Sequence, residues 1–163
     1  MADLTTLATE LGATLKARAY MLALAESCTG GMVAQTVTSL AGSSAWFDRG
    51  FVTYSNQSKI DMLGVLAQTL ETFGAVSEEI ATEMALGALK HSQAHIAGSI
   101  TGIAGPEGGT IDKPIGTVCF AWAENNKPTT FTTKKFDGNR EGIRQQATAF
   151  LMQQLIERLK LLN

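Results

Sequence analysis

The stretch YMLALAESCTGGMVAQTVTSL (20–40) constrains this chain more than any other. It begins with a short, mostly apolar run of strand length, whose side chains are apolar at consecutive positions and therefore on both faces. Such a strand belongs inside a sheet that is covered on both sides. Gly30 and Gly31 then permit a sharp turn, and a helical pattern resumes from Met32. Strand, tight turn and helix in that order open an α/β fold.

The alternation continues along the chain. Leu4, Leu7, Ala8, Leu11 and Leu15 recur at helical spacing behind Asp3, a candidate cap, and predict an amphipathic first helix. WFDRGFVTYS (46–55) reads as a strand that leads into the short helix NQSKIDML, capped by Ser55 or Asn56 and closed by Gly64. Ser77, with Glu78 and Glu79 behind it, opens a further helix with Ile80, Ala81, Met84, Ala85 and Ala88 on one face. HIAGSIT (95–101) is a buried strand, and GIAGPEGGTIDKPIG (102–116) is a long loop rich in glycine and proline. TVCFAWAE (117–124) and TTFTTKKF (129–136) flank NNKP as a hairpin, which introduces an antiparallel element. Ile143, Ala147, Phe150, Leu151, Leu155 and Leu159 form the stripe of a long C-terminal helix. The prediction is one domain over residues 1–163, a three-layer α/β/α sandwich around a mixed, mostly parallel sheet of about five strands.

Composition narrows the partners. A formal charge of −2, with no run of Lys or Arg longer than Lys134–Lys135, lacks the basic footprint of a nucleic-acid binder. Cys28 and Cys119 are too few for a disulfide framework. The N-terminal segment carries Asp3 and Glu10 and lacks the basic start and apolar core of a signal peptide. No apolar run approaches the roughly 18 residues of a membrane span. A cytoplasmic protein with no membrane partner is expected.

In an open α/β sheet, ligands bind beyond the carboxyl ends of the strands. ESCTGG, TYSNQSK and TGIAGPEGG all fall at such places and would converge on one crevice if their strands are neighbours. A serine on a strand-to-helix turn presents Oγ at the sheet edge, while the N–H groups of Thr29, Gly30 and Gly31 would face an oxyanion or phosphate. Read alone, the segment fits better a plain turn in which Ser27 or Thr29 caps the helix. Cys28 at a helix start is a second candidate nucleophile.

A nucleophilic serine needs a base. His91 and His95 fall between a helix end and a strand start, at the amino edge of the sheet, and are expected to be structural. HSQAH lacks the glutamate of a zinc helix, so no metal is expected. Lys59 lies near the start of its helix, where the dipole should lower its pKa, and a neutral lysine can deprotonate a serine. A solvated surface lysine is the plain alternative. Tyr54 ends the preceding strand and is either a hydrogen-bond donor to the site or a packing residue. Arg140 and Arg144 stand at a helix start, where cations call for an anionic partner, either a substrate phosphate or an acidic side chain.

Taken together, AESCTGG (25–31), YSNQSK (54–59), TGIAGPEGG (101–109), KPIGTV (113–118) and GNREGIRQQA (138–147) resemble the CinA C-terminal domain family in order and over almost the whole chain. That resemblance implies hydrolysis of the carboxamide of nicotinamide mononucleotide, a nucleotide substrate, to nicotinate mononucleotide and ammonia, in pyridine-nucleotide recycling and without a cofactor. It implies Ser27 as nucleophile and Lys59 as base, and a homodimer. Tyr54 and the segment Thr101, Gly102, Ala104 and Gly105 would then orient substrate or stabilise the oxyanion. Thr29, Gly30 and Gly31 would form the anion-facing turn, and Arg140 and Arg144 would hold the phosphate. A non-catalytic nucleotide-binding or regulatory module using the same crevice is the alternative.

Overall fold

The structure, a computed structural model, describes residues 3–161, so the outermost residues of the expected domain lie outside the described part. In chain order the elements are α1 (Leu4–Ala17), β1 (Leu22–Glu26), α2 (Met32–Thr38), β2 (Phe47–Val52), α3 (Asn56–Leu63), α4 (Ala67–Phe73), α5 (Glu78–Lys90), β3 (Ile96–Gly102), β4 (Thr117–Glu124), β5 (Thr130–Lys135) and α6 (Arg140–Lys160). The expected caps are present. Asp3 accepts from Thr6 N–H at the start of α1, and Ser77 accepts from Ile80 N–H at the start of α5. Ser55 and Ser58 form a reciprocal capping box at α3, which Gly64 closes at φ 71°. The helix α4 had no counterpart in the sequence reading, and the reason is physical. It buries none of its residues, so it carries no apolar stripe.

The strands lie in the order β2-β1-β3-β4-β5. β2/β1 and β1/β3 pair in parallel, β3/β4 and β4/β5 antiparallel. The sheet is therefore mixed, as expected, but "mostly parallel" holds for strand direction only. β4 runs against the other four strands, so the neighbouring pairs divide evenly.

The two faces differ in side-chain size. β1 sends Leu22 and Leu24 to one face and Ala23 and Ala25 to the other. β4 repeats the division, with Val118, Phe120 and Trp122 on the first face and Cys119, Ala121 and Ala123 on the second. The large face packs against α1, α2 and α6 through Leu11, Leu15, Val33, Leu151 and Leu155, each worth about 1.5–3 kcal/mol when fully buried. The alanine face receives α5 through Ala81 and Ala85. Gly87 on α5 lies so close to Leu63 O that an added Cβ would stand 2.0 Å from it, which locks the end of α3 onto α5.

Three parallel neighbours place three carboxyl ends side by side. Glu26 at the end of β1 is in register with Val52 on β2 and Ile100 on β3. The loops that follow these strands are the ones that carry the candidate residues.

Candidate active site

Ser27 is the first residue beyond β1. Its N–H donates to Ile100 O of β3 at 3.0 Å, so its backbone is held by the central pairing of the sheet. On the other side, Thr53 N–H donates to Glu26 O at 2.8 Å and carries the chain out of β2 into α3. From the start of α3 the Lys59 side chain turns back toward the sheet. Its Nζ lies 2.7 Å from Thr53 O and 2.9 Å from Ser27 Oγ, closing a separation of 32 residues.

Lys59 is only 1% exposed, and no acidic side chain among the described residues forms an ion pair with it. Burial without a counter-charge penalises the ammonium form and pushes its pKa down from 10.5 to about 8. The direction matches the sequence expectation, and burial is its largest cause. An amine of that pKa is partly neutral at pH 7 and can accept the serine proton.

Cys28 is not an equivalent neighbour. It joins the core on the large face of the sheet, and burial drives its thiol up to about 12. The reactive thiolate is therefore suppressed.

The turn itself bears on the expectation for Thr29, Gly30 and Gly31. The N–H groups of the two glycines are taken up inside the protein rather than left to an open anion site. Gly30 N–H donates to Ser27 O at 3.0 Å. The Thr29 hydroxyl donates to Glu26 Oε1 at 2.6 Å and Gly31 N–H to the same oxygen at 3.2 Å. Val33 and Ala34 N–H complete the set, at 3.1 Å to Oε1 and 2.9 Å to Oε2. The anion at the start of α2 is the protein's own Glu26 carboxylate, 1% exposed. Sequence reasoning missed this residue. The available signal was that a helix entered through Gly31 has no side-chain cap of its own.

Of the two kinds of partner expected for Arg140 and Arg144, an acidic side chain is met by neither among the described residues. Arg144 donates to Cys28 O and Thr29 O, each at 3.0 Å, and clasps the turn from outside. Arg140 donates to Gly105 O at 2.8 Å and to Tyr54 Oη at 2.9 Å. The Arg140 guanidinium and the 62% exposed Tyr54 ring thus stand together at the surface.

A cavity of about 270 Å³ opens above the pair. Ser27, Cys28 and Lys59 line it from the sheet side, Tyr54 and Asn56 from the β2–α3 connection, and Thr101, Gly102, Ala104, Gly105, Glu107 and Gly108 from the long loop, with Arg140 completing the wall. The Thr101 hydroxyl is committed to Ala75 O at 2.8 Å and fixes that wall. At Gly105, φ 79° and an added Cβ only 2.6 Å from Ile115 leave no room for a side chain. Thr29, Gly30, Gly31 and Arg144 stand behind the wall rather than on it. Asn56 and Glu107, which do line it, lie in segments whose spacing singled out their neighbours instead. The histidines sit away from this cavity, as expected. His91 caps the end of α5, and His95 Nδ1 accepts from Met21 N–H at 2.9 Å before β3 begins.

Comparison with known proteins identifies the family. The family model described as the CinA C-terminal domain matches residues 4–159. The chain is 52% identical over 153 residues to the nicotinamide-nucleotide amidohydrolase PncC of Escherichia coli (strain K12), covering 94% of this chain and 93% of that one. A protein of the same name from Pseudomonas putida is 42% identical over 157 residues, covering 96% and 98%. Among solved structures, the competence/damage inducible protein CihA from Agrobacterium tumefaciens is 43% identical and superposes with a TM-score of 0.93 over 98% of this chain and 97% of that one. The chain therefore belongs to the CinA C-terminal domain family.

Proposed function

We propose that this protein is an amidohydrolase that converts nicotinamide mononucleotide to nicotinate mononucleotide and ammonia through a Ser27–Lys59 pair. The observation that carries the reading is the 2.9 Å contact between Ser27 Oγ and a buried lysine without a counter-ion. The names of relatives at 52% and 42% identity supply the substrate. Neutral Lys59 accepts the Ser27 proton as Oγ attacks the amide carbon. The ammonium form then returns that proton to the departing nitrogen, which leaves as ammonia. Water, deprotonated by the same amine, adds to the acyl-enzyme and releases the carboxylate with the serine restored.

The remaining roles follow from position. Gly102, Ala104 and Gly105 form the wall toward which the carbonyl oxygen turns as it becomes an oxyanion, and Thr101 holds that wall in place. Arg140 takes the phosphate, because a dianion outcompetes the neutral oxygens of Gly105 and Tyr54 for its guanidinium. Tyr54 orients the nucleotide beside it. Thr29, Gly30, Gly31 and Arg144 shape the nucleophile's turn rather than touch the ligand. Family resemblance further supports a homodimer, whose stoichiometry light scattering would read, and the composition supports a cytoplasmic location.

The test is incubation of the purified protein with nicotinamide mononucleotide at pH 8 in the presence of a chelator, with both products resolved by mass. Turnover that survives chelation and vanishes in Ser27→Ala and Lys59→Met supports the pair. Absence of turnover in the folded native protein overturns the assignment and leaves a nucleotide-binding module as the reading of the same cavity.

A further inference from the structure

We infer that Glu26 is a positioning residue that sets the geometry between nucleophile and base; this rests on the Ser27–Lys59 reading. Glu26 does not line the cavity, so it has no contact to offer a substrate. It nevertheless connects to both members of the pair. Ser27 is its covalent neighbour. Its backbone oxygen accepts from Thr53 N–H at 2.8 Å, and Thr53 O in turn lies 2.7 Å from Lys59 Nζ.

The side chain supplies the third connection. Its carboxylate gathers the Thr29 hydroxyl and the N–H groups of Gly31, Val33 and Ala34, tying the turn after Ser27 to the start of α2. The turn needs this tie because Gly30 and Gly31 adopt φ 60° and 107° and have no side chains with which to hold themselves. Arg144 presses the same turn from outside through Cys28 O and Thr29 O. The serine is thus carried on a segment clamped between a buried carboxylate and a guanidinium. Loss of the inner clamp frees the segment to move, and displacement of a reacting group by about 1 Å can lower a rate about a hundredfold.

Glu26→Gln is the discriminating variant. It preserves volume and one acceptor oxygen, but its NH₂ would face at least one of the N–H donors now bound. The expected result is a kcat reduced by about tenfold to a hundredfold, with KM for nicotinamide mononucleotide within about twofold, because no cavity wall is removed. Thr29→Val, which removes one of the four donors, should give a smaller loss of the same kind. Each variant is also treated with a fluorophosphonate probe, and the rate of Ser27 labelling should fall with kcat. Thermal unfolding and active-site titration normalise the rates to folded protein.

If Glu26→Gln lowers the melting temperature while kcat and labelling per folded molecule stay within about twofold of native, Glu26 is only a helix cap and the inference is overturned. If the native protein labels at Ser27 but does not turn over nicotinamide mononucleotide, the substrate reading fails by itself. Labelling in the two variants then still decides the role of Glu26.

Discussion

One group, Lys59, should set both the pH dependence of the rate and part of the pH dependence of stability. Its pKa is held near 8, against 10.5 for an ordinary lysine, by burial without a counter-charge. With a pKa of about 8, roughly one molecule in ten carries the neutral amine at pH 7 and roughly nine in ten at pH 9, so kcat/KM should rise about tenfold between them. The sign for stability follows from proton uptake on unfolding. The folded pKa is depressed, so between about 8 and 10.5 the unfolded state binds more protons and folding stability rises with pH. The full shift corresponds to about 3 kcal/mol disfavouring the folded state at neutral pH, at 1.36 kcal/mol per unit. About 1 kcal/mol of that is recovered between pH 7 and pH 9. The assay is paired: ammonia release from nicotinamide mononucleotide at subsaturating concentration from pH 7 to 9.5, and urea unfolding of native protein and Lys59→Met over the same range. The native protein should gain about 1 kcal/mol relative to Lys59→Met as the rate limb is climbed. A rate that stays flat from pH 7 to 9, or stability curves that remain parallel, would refute the assignment of a partly neutral buried lysine.

The other predictions concern single residues. Cys28→Ala should retain most of the activity that Ser27→Ala abolishes, and iodoacetamide should alkylate Cys28 slowly at pH 8, because its thiol is held up to about 12. Gly87→Ala should destabilise the protein by about 1–3 kcal/mol, since its Cβ would stand 2.0 Å from Leu63 O. It should also lower kcat, because Leu63 ends the helix that carries Lys59; circular dichroism melts and initial rates read the two effects. Arg140→Ala should raise KM for the mononucleotide about tenfold or more while leaving nicotinamide riboside, which lacks the phosphate, much less affected. Equal losses on both compounds would remove Arg140 from the phosphate site.

The local pattern of the sequence determined the elements and the chemistry on offer. Helix starts at Asp3, Ser55 and Ser77 and the helix end at Gly64 were legible because caps and left-handed glycines act within a turn of chain. Ser27, Lys59, Tyr54 and the 101–109 loop stood out because they follow strands. The helix α4 was not legible, because none of its residues is fully buried and only Leu70 packs partly against the core, which leaves no stripe. What only the tertiary structure decided depends on strand order and burial, neither of which is written at any one position. The neighbouring placement of β2, β1 and β3 brings Lys59 across 32 residues to Ser27, and burial with no ion-paired carboxylate among the described residues lowers its pKa to about 8. The same packing turned three apparent ligand contacts inward. The Thr29 hydroxyl and the Gly31 N–H go to Glu26, and Arg144 goes to main-chain oxygens, because buried polar groups must find partners within the protein before any ligand arrives.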